Sequence, residues 1–114
     1  MFNKILVVCV GNICRSPTGE RVLQKLLPNK EVASAGIATN KSRLIGESAD
    51  ETAVLIASEN GIDMRNHQAQ QLTPQLCSKY DLILVMEKAH LEALTQISPE
   101  AVSYTHLRAH ETHE

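Results

Sequence analysis

Aromatic residues are nearly missing from this 114-residue chain: Phe2, Tyr80 and Tyr104 are the only ones, and there is no tryptophan. A surface that stacks on bases is therefore not expected. Basic blocks are missing too. Eleven Lys+Arg stand against thirteen Asp+Glu, a formal net charge of −2, so nothing supports nucleic acid as a partner. The longest apolar run, Ile5 to Val10, is strand-sized and far short of the roughly 20 residues that span a bilayer. No basic segment followed by a signal-like apolar stretch opens the chain, so the expectation is a cytoplasmic protein with no membrane partner. Cysteine is scarce and odd in number, at Cys9, Cys14 and Cys77, which points to thiols and not to a disulfide framework. What remains is the composition of an ordinary globular protein, 43% hydrophobic and 21% charged, at a length that suits one domain.

Period and punctuation give the order of elements. Ile5-Leu6-Val7-Val8 is a continuous aliphatic run, as expected of a parallel strand buried on both faces. Ser16-Pro17 reads as an N-cap followed by proline at the first helical position, and the helix runs through Val22, Leu23, Leu26 and Leu27 to stop before Pro28. Glu31 to Ser34 is a short strand closed by Ala35-Gly36, and residues 37–49 form a loop. Asp50 caps a helix carrying Val54, Leu55 and Ala57 that ends at Asn60-Gly61, a left-handed stop. Thr73-Pro74 caps a short turn through Leu76 and Cys77. Asp81 to Met86 is a buried strand, and Lys88 to Ile97 a last helix with Leu91 and Leu94 inward. The alternation predicts an α/β fold with a parallel sheet and helices on both faces.

Chemistry concentrates between the first strand and the first helix. A ligand there meets free backbone N–H groups and the positive end of a helix dipole. Cys9 and Arg15 bracket Val10, Gly11, Asn12, Ile13 and Cys14, and a loop so wrapped aims its amides at a tetrahedral oxyanion. Gly11 permits close backbone approach, and Asn12 tolerates a left-handed conformation. Arg15 brings a planar fork able to grip two phosphate oxygens. Amides, helix end and Arg15 together can lower a thiol pKa from about 8.5 towards 4–7, which would make Cys9 a nucleophile. The bland alternative is a small buried Cys9 ending a strand and a solvated Arg15.

The run Val8-Cys9-Val10-Gly11-Asn12-Ile13-Cys14-Arg15-Ser16-Pro17 resembles the signature of the low-molecular-weight protein tyrosine phosphatases. Ser34-Ala35-Gly36, His67-Gln68-Ala69-Gln70-Gln71 and Asp81-Leu82-Ile83-Leu84-Val85-Met86-Glu87 resemble the same family in the same order. The stretch to about Ala101 is most similar to the bacterial branch associated with exopolysaccharide and capsule production. The resemblance implies a three-layer α/β sandwich with strand order 2-1-3-4. It implies Cys9 as nucleophile through a cysteinyl-phosphate, Arg15 as phosphate and transition-state clamp, and Ser16 as hydroxyl donor to the thiolate. It places Asn12, Ser34 and His67 in the network that shapes the loop; for His67 the alternative is an exposed loop histidine. The implied partner is a phosphotyrosine protein, such as an autophosphorylated bacterial tyrosine kinase, with phosphate and vanadate as inhibitors and no cofactor. Two readings stay open for Cys14: a redox partner that shields Cys9 in a reversible disulfide, or a small core residue. Cys77 reads as core.

Divergent relatives and metal sites are weaker readings. The phosphoarginine branch carries threonine where this chain has Ile13, and related arsenate reductases need cysteines that Met86-Glu87-Lys88-Ala89-His90 lacks. Cys9 and Cys14 have no second ligand pair nearby for a metal. The loop 37–49 offers Ile37, Leu44 and Ile45 but no aromatic to flank a phenyl ring.

The C-terminal segment departs from the resemblance. The family continues into a fourth strand and an Asp-Pro loop carrying the general acid, whereas this chain has no Asp-Pro pair and no aspartate after Asp81. No general acid is assigned. Val102-Ser103-Tyr104-Thr105-His106-Leu107-Arg108-Ala109-His110-Glu111-Thr112 resembles a translated sequencing-library adapter. The expectations are thus a phosphatase domain over 1–101, incomplete at its C-terminus, and a non-native tail over 102–114. A missing fourth strand would leave the 81–86 strand as an exposed, aggregation-prone edge. A helical metal site on His106, His110 and His113 is the alternative for this tail.

Overall fold

The computed structural model describes residues 3–85, 93, 96, 97 and 104–106. Its frame is a parallel sheet built from β1 (Lys4–Cys9), β2 (Glu31–Gly36), β3 (Leu82–Val85) and β4 (Tyr104–His106), in the order β2-β1-β3-β4. β1 is central. Lys4 pairs with Glu31 and Cys9 with Gly36 on one side, and Ile5 to Val8 pair with Leu82 to Val85 on the other. Leu6, Val7 and Val8 are fully buried, which is why the run shows no polar alternation: both faces are covered.

The two faces carry separate aliphatic clusters. Ile5, Val7, Val32 and Leu84 meet Leu23 of α1 (Arg15–Leu26) on one face. Leu6, Val8, Ala35, Ile83 and Val85 meet Leu72 and Cys77 on the other, with Leu76 and Ile97 packed against them. The expected α/β sandwich is therefore present, and Cys77, in α3 (Pro74–Cys77), is a core residue as read. A third cluster, Ala49, Ala57 and Met64, seats α2 (Glu51–Glu59).

Several local rules hold. Asp50 caps α2 by accepting from the Ala53 amide, Thr73 caps α3 by accepting from Leu76, and Gly61 takes φ +78° just after α2. Leu26 and Leu55, apolar members of the two expected helices, face outward at 69% and 61% exposure. Asp81 accepts from the amides of Asn3 and Lys4, and those bonds hold its carboxyl below the usual range.

Two expectations need correction. Ser16 is not the N-cap. α1 begins at Arg15, with Cys14 at the cap and no side chain closing it, because the Ser16 hydroxyl is buried and used elsewhere. The fourth strand is not missing either. Tyr104, Thr105 and His106 pair in parallel with Ile83, Leu84 and Val85, so β3 is not an open edge. A β-branched and an aromatic residue in the three suit a strand, and the open side of β3 supplies the unpaired backbone groups that such a strand satisfies. That strand falls in the segment expected to be non-native. Of the expected helix 88–97, Ala93, Gln96 and Ile97 are described and helical; Leu91, Leu94 and Met86 lie outside the described residues.

Candidate active site

The loop Val10–Cys14 leaves the carboxyl end of the central strand and turns into α1. Its carbonyls all face away from the turn. Cys9 and Val10 accept from the amides of Ile37 and Ala38 at 2.9 Å, Gly11 accepts from the Thr39 hydroxyl at 3.1 Å, and Ile13 accepts from the Asp50 amide at 2.6 Å. The Asn12 carbonyl takes the fifth donor, His67 Nε2, at 2.7 Å. A carbonyl only accepts, so His67 carries its proton on Nε2. With the carbonyls tied outward, the amides of Gly11 to Cys14 donate to no backbone carbonyl among the described residues.

Asn12 is the keystone of the bend. It sits at φ 62°, the left-handed conformation expected of it, and is fully buried. Its Nδ2 donates to Ser16 Oγ at 2.8 Å and to Ser34 Oγ at 2.9 Å, while its Oδ1 accepts from the Gln70 amide at 2.9 Å. Ser16 accepts from Asn12 and lies 2.9 Å from Cys9 Sγ; towards a thiolate, which only accepts, the Ser16 hydroxyl is the donor. Ser34 likewise accepts from Asn12 and donates to Glu20 Oε1 at 2.5 Å.

The structure thus brings together Cys9, Asn12, Ser16, Ser34 and His67, five residues singled out in the sequence. Cys9 and His67 are buried at 4% and 5% exposure, which removes the reading of His67 as a loose surface histidine. Arg15 opens α1 beside the loop, and Cys14 is exposed, not a core residue. Val10, exposed at its side chain, contributes backbone only to the bonds above.

Further supports were not singled out. Glu20 lies one helical turn beyond Ser16, a spacing that puts both on one face of α1. Gln70 supplies its amide to Asn12, its side-chain Nε2 to the Ser34 carbonyl and its own carbonyl to the Gly36 amide. Thr39 is fully buried under Gly11. Gly36 leaves no room for a side chain: a Cβ there would overlap Thr39 Oγ1 and lie 2.5 Å from the Val10 carbonyl. Only the motif His67 to Gln71 and the pair Ala35-Gly36 hinted at them.

No cluster of three His, Cys, Asp or Glu able to hold a metal occurs among the described residues, while His110 and His113 lie outside them. No helix among the described residues is long and apolar enough to cross a membrane.

Comparison with known proteins gives the same picture. A family model described as low molecular weight phosphotyrosine protein phosphatase matches residues 4–112. The probable low molecular weight protein-tyrosine-phosphatase AmsI of Erwinia amylovora is 51% identical over 110 residues, covering 96% of this chain and 74% of that protein. Among solved structures, Vibrio vulnificus Wzb in complex with benzylphosphonate is 74% identical with a TM-score of 0.91, covering 94% of this chain and 73% of that one. Tyrosine phosphatase Wzb of Escherichia coli K30 in complex with sulphate is 49% identical with a TM-score of 0.82, covering 89% and 68%.

Proposed function

The chain belongs to the low molecular weight phosphotyrosine protein phosphatase family, and from that premise we propose that it cleaves phosphotyrosine in proteins through a phosphorylated Cys9. In the first step the sulfur attacks phosphorus in line, an S–P bond forms, and the bond to the tyrosyl oxygen breaks. In the second, water attacks the same phosphorus, the S–P bond breaks, and inorganic phosphate leaves. Phosphoryl transfer asks mainly for positioning and charge stabilisation. The amides from Val10 to Arg15 face the oxygens on this reading, and the Arg15 fork spans two of them. The Ser16 hydroxyl serves the sulfur both as it attacks and as it leaves. Asn12, Ser34 and His67 keep the cradle open for the anion.

One observation carries the reading: Ser16 Oγ, held by the Asn12 amide, lies 2.9 Å from Cys9 Sγ, in place to donate to a thiolate, inside a loop whose carbonyls are bonded outward. The ligands of the related structures support it, since benzylphosphonate and sulphate both present tetrahedral oxyanions. The likeness to exopolysaccharide-associated phosphatases makes the phosphotyrosines of a bacterial tyrosine kinase our assignment for the substrate, with the cytoplasm as the compartment. Cys14, exposed next to Arg15, is the thiol we assign to a reversible, protective disulfide with Cys9.

These 114 residues hold no Asp-Pro pair, so for a polypeptide of these residues alone we propose that the phenolate departs without the acid that the resemblance implies. General-acid help is worth roughly 10²–10⁴ in rate, most for a poor leaving group. The test is a series of aryl phosphates of graded leaving-group pKa. Rates should fall steeply as that pKa rises, and Cys9→Ser should abolish turnover while still binding phosphate. A flat series that vanishes in Cys9→Ser would show an acid already in place. Phosphate should protect Cys9, but neither Cys14 nor Cys77, from alkylation; indifference of Cys9 to phosphate and vanadate would overturn the site.

A further inference from the structure

Asn12 is held at two points by two different routes, and the routes meet again on one side chain outside the loop. The first route leaves the Asn12 amide. Nδ2 donates to Ser34 Oγ at 2.9 Å, and Ser34 donates to Glu20 Oε1 at 2.5 Å. The other carboxylate oxygen, Oε2, takes Arg21 Nε at 3.0 Å. The second route leaves the Asn12 carbonyl. It accepts from His67 Nε2 at 2.7 Å, and His67 follows directly on Asn66 in the chain. Arg21 Nη1 donates to Asn66 Oδ1 at 2.8 Å and to the Asp63 carbonyl at 2.9 Å, at the two ends of that short turn. The result is a closed ring through Arg21, Glu20, Ser34, Asn12, His67 and Asn66. It ties α1, β2, the loop and the 63–67 turn to one another.

Arg21 is the only residue of the ring that could be exchanged for a smaller cation without altering the loop or either route's last contact. Its planar fork makes three contacts in different directions, with one nitrogen on Glu20 and another on the turn. A lysine ammonium is a point donor and cannot span those acceptors in that arrangement. Its neighbour Arg65 does not compete, because Arg65 is spent on the Asp63 carboxylate at 3.0 and 3.1 Å. The Arg21 side chain is mostly buried, at 22% exposure, so solvent screens its contacts less than those of an open surface pair.

We propose that Arg21 is a positioning residue: by clamping Glu20 and the 63–67 turn together, it sets the place of Asn12 and hence the shape of the oxyanion loop. This rests on the reading of that loop as a phosphate site, and the experiment separates the two. The Gln70 amide donates to Asn12 Oδ1 and is not a contact of Arg21, so its hydrogen exchange reports the position of Asn12 from the far side. Phosphate affinity is read as protection of Cys9 from iodoacetamide. Arg21→Ala and Arg21→Lys should each speed exchange at Gln70 about tenfold and weaken phosphate protection about tenfold, the scale of one or two lost charge-assisted bonds. Asn66→Ala, which opens one route only, should give about a third of that effect. If Arg21→Ala does not fold, Arg21→Lys and Asn66→Ala decide. Lowered melting temperature in Arg21→Lys with unchanged Gln70 exchange would reduce Arg21 to a structural brace and overturn the proposal. A wild-type chain without phosphate protection at Cys9 would instead remove the anion-site reading, and Gln70 exchange would still decide whether Arg21 sets Asn12.

Discussion

Six positions apart in the chain, Leu6 and Asn12 are both fully buried, and by opposite means. Leu6 lies in an aliphatic cluster with Val8, Ala35, Ile83 and Val85, where attraction has no preferred direction and shape is what counts. Asn12 is enclosed by groups that each demand one partner at one angle, and it answers with four hydrogen bonds. The strand below the loop is thus specified by volume, the loop by valence. Such regions should respond differently to the same kind of change, and that difference can be measured.

The largest expected effect comes from giving Asn12 the shape of its apolar counterpart. Asn12→Leu keeps the branched outline but takes one donor each from Ser16 and Ser34, orphans the Gln70 amide and puts a leucine at a φ of 62°. At about 1–3 kcal/mol for each buried group left without a partner, a loss on the order of 4 kcal/mol is expected in denaturant unfolding. A loss below about 1 kcal/mol would mean that packing, not bonding, holds the loop. Gly36→Ala comes next. The added methyl group meets Thr39 Oγ1 and the Val10 carbonyl, so about 2–3 kcal/mol of stability and most phosphate binding should go together. Leu6→Met, a volume-conserving change on the other side of the comparison, should cost less than about 1.5 kcal/mol and leave turnover unchanged.

The smallest effect concerns acid. Hydrogen bonds from Arg65 lower the Asp63 carboxyl to about 2, and amide donors lower that of Asp81. A carboxyl whose folded pKa lies below its unfolded value stabilises the fold above the unfolded pKa, near 3.8 for these two. That contribution fades as pH falls from there, for Asp63 towards about 2. Both groups are exposed, so Asp63→Asn and Asp81→Asn should flatten the acid limb of the unfolding curve only slightly, and less in high salt. An unaltered acid limb in both variants would show that neither bond contributes.

The same contrast explains what was legible in the sequence. β1, β2, β3 and both capped helices could be read because apolar runs and cap residues are local signals, and Asn12 could be read because a left-handed bend is a local demand. Ser16 was legible as a functional hydroxyl but misread as a cap, since its partner Asn12 competes for it from inside the loop. Glu20, Gln70 and Thr39 gave no such signal. Their bonds to Ser34, Asn12 and Gly11 close over sequence separations of 14, 58 and 28, which no local pattern encodes. Leu26 and Leu55 show the converse, as helical spacing alone does not say which apolar side chains find a neighbour. The fourth strand escaped because an open strand edge accepts a short partner on backbone terms, with little asked of its side chains.

The Asn12 amide donates to Ser16 and Ser34, and Ser34 donates to Glu20. Once the Cys9 sulfur is a thiolate, which only accepts, the Ser16 hydroxyl beside it must donate, and the whole run admits one arrangement of hydrogens. In water, a charge arriving on sulfur or phosphorus must first turn the solvent dipoles around it, and that turning is the greater part of the barrier to creating it. Here the dipoles are already turned, and the work of aligning them was done when the chain folded. A rigid polar interior of this kind solvates like a frozen liquid: strongly for one charge distribution, and poorly for its opposite.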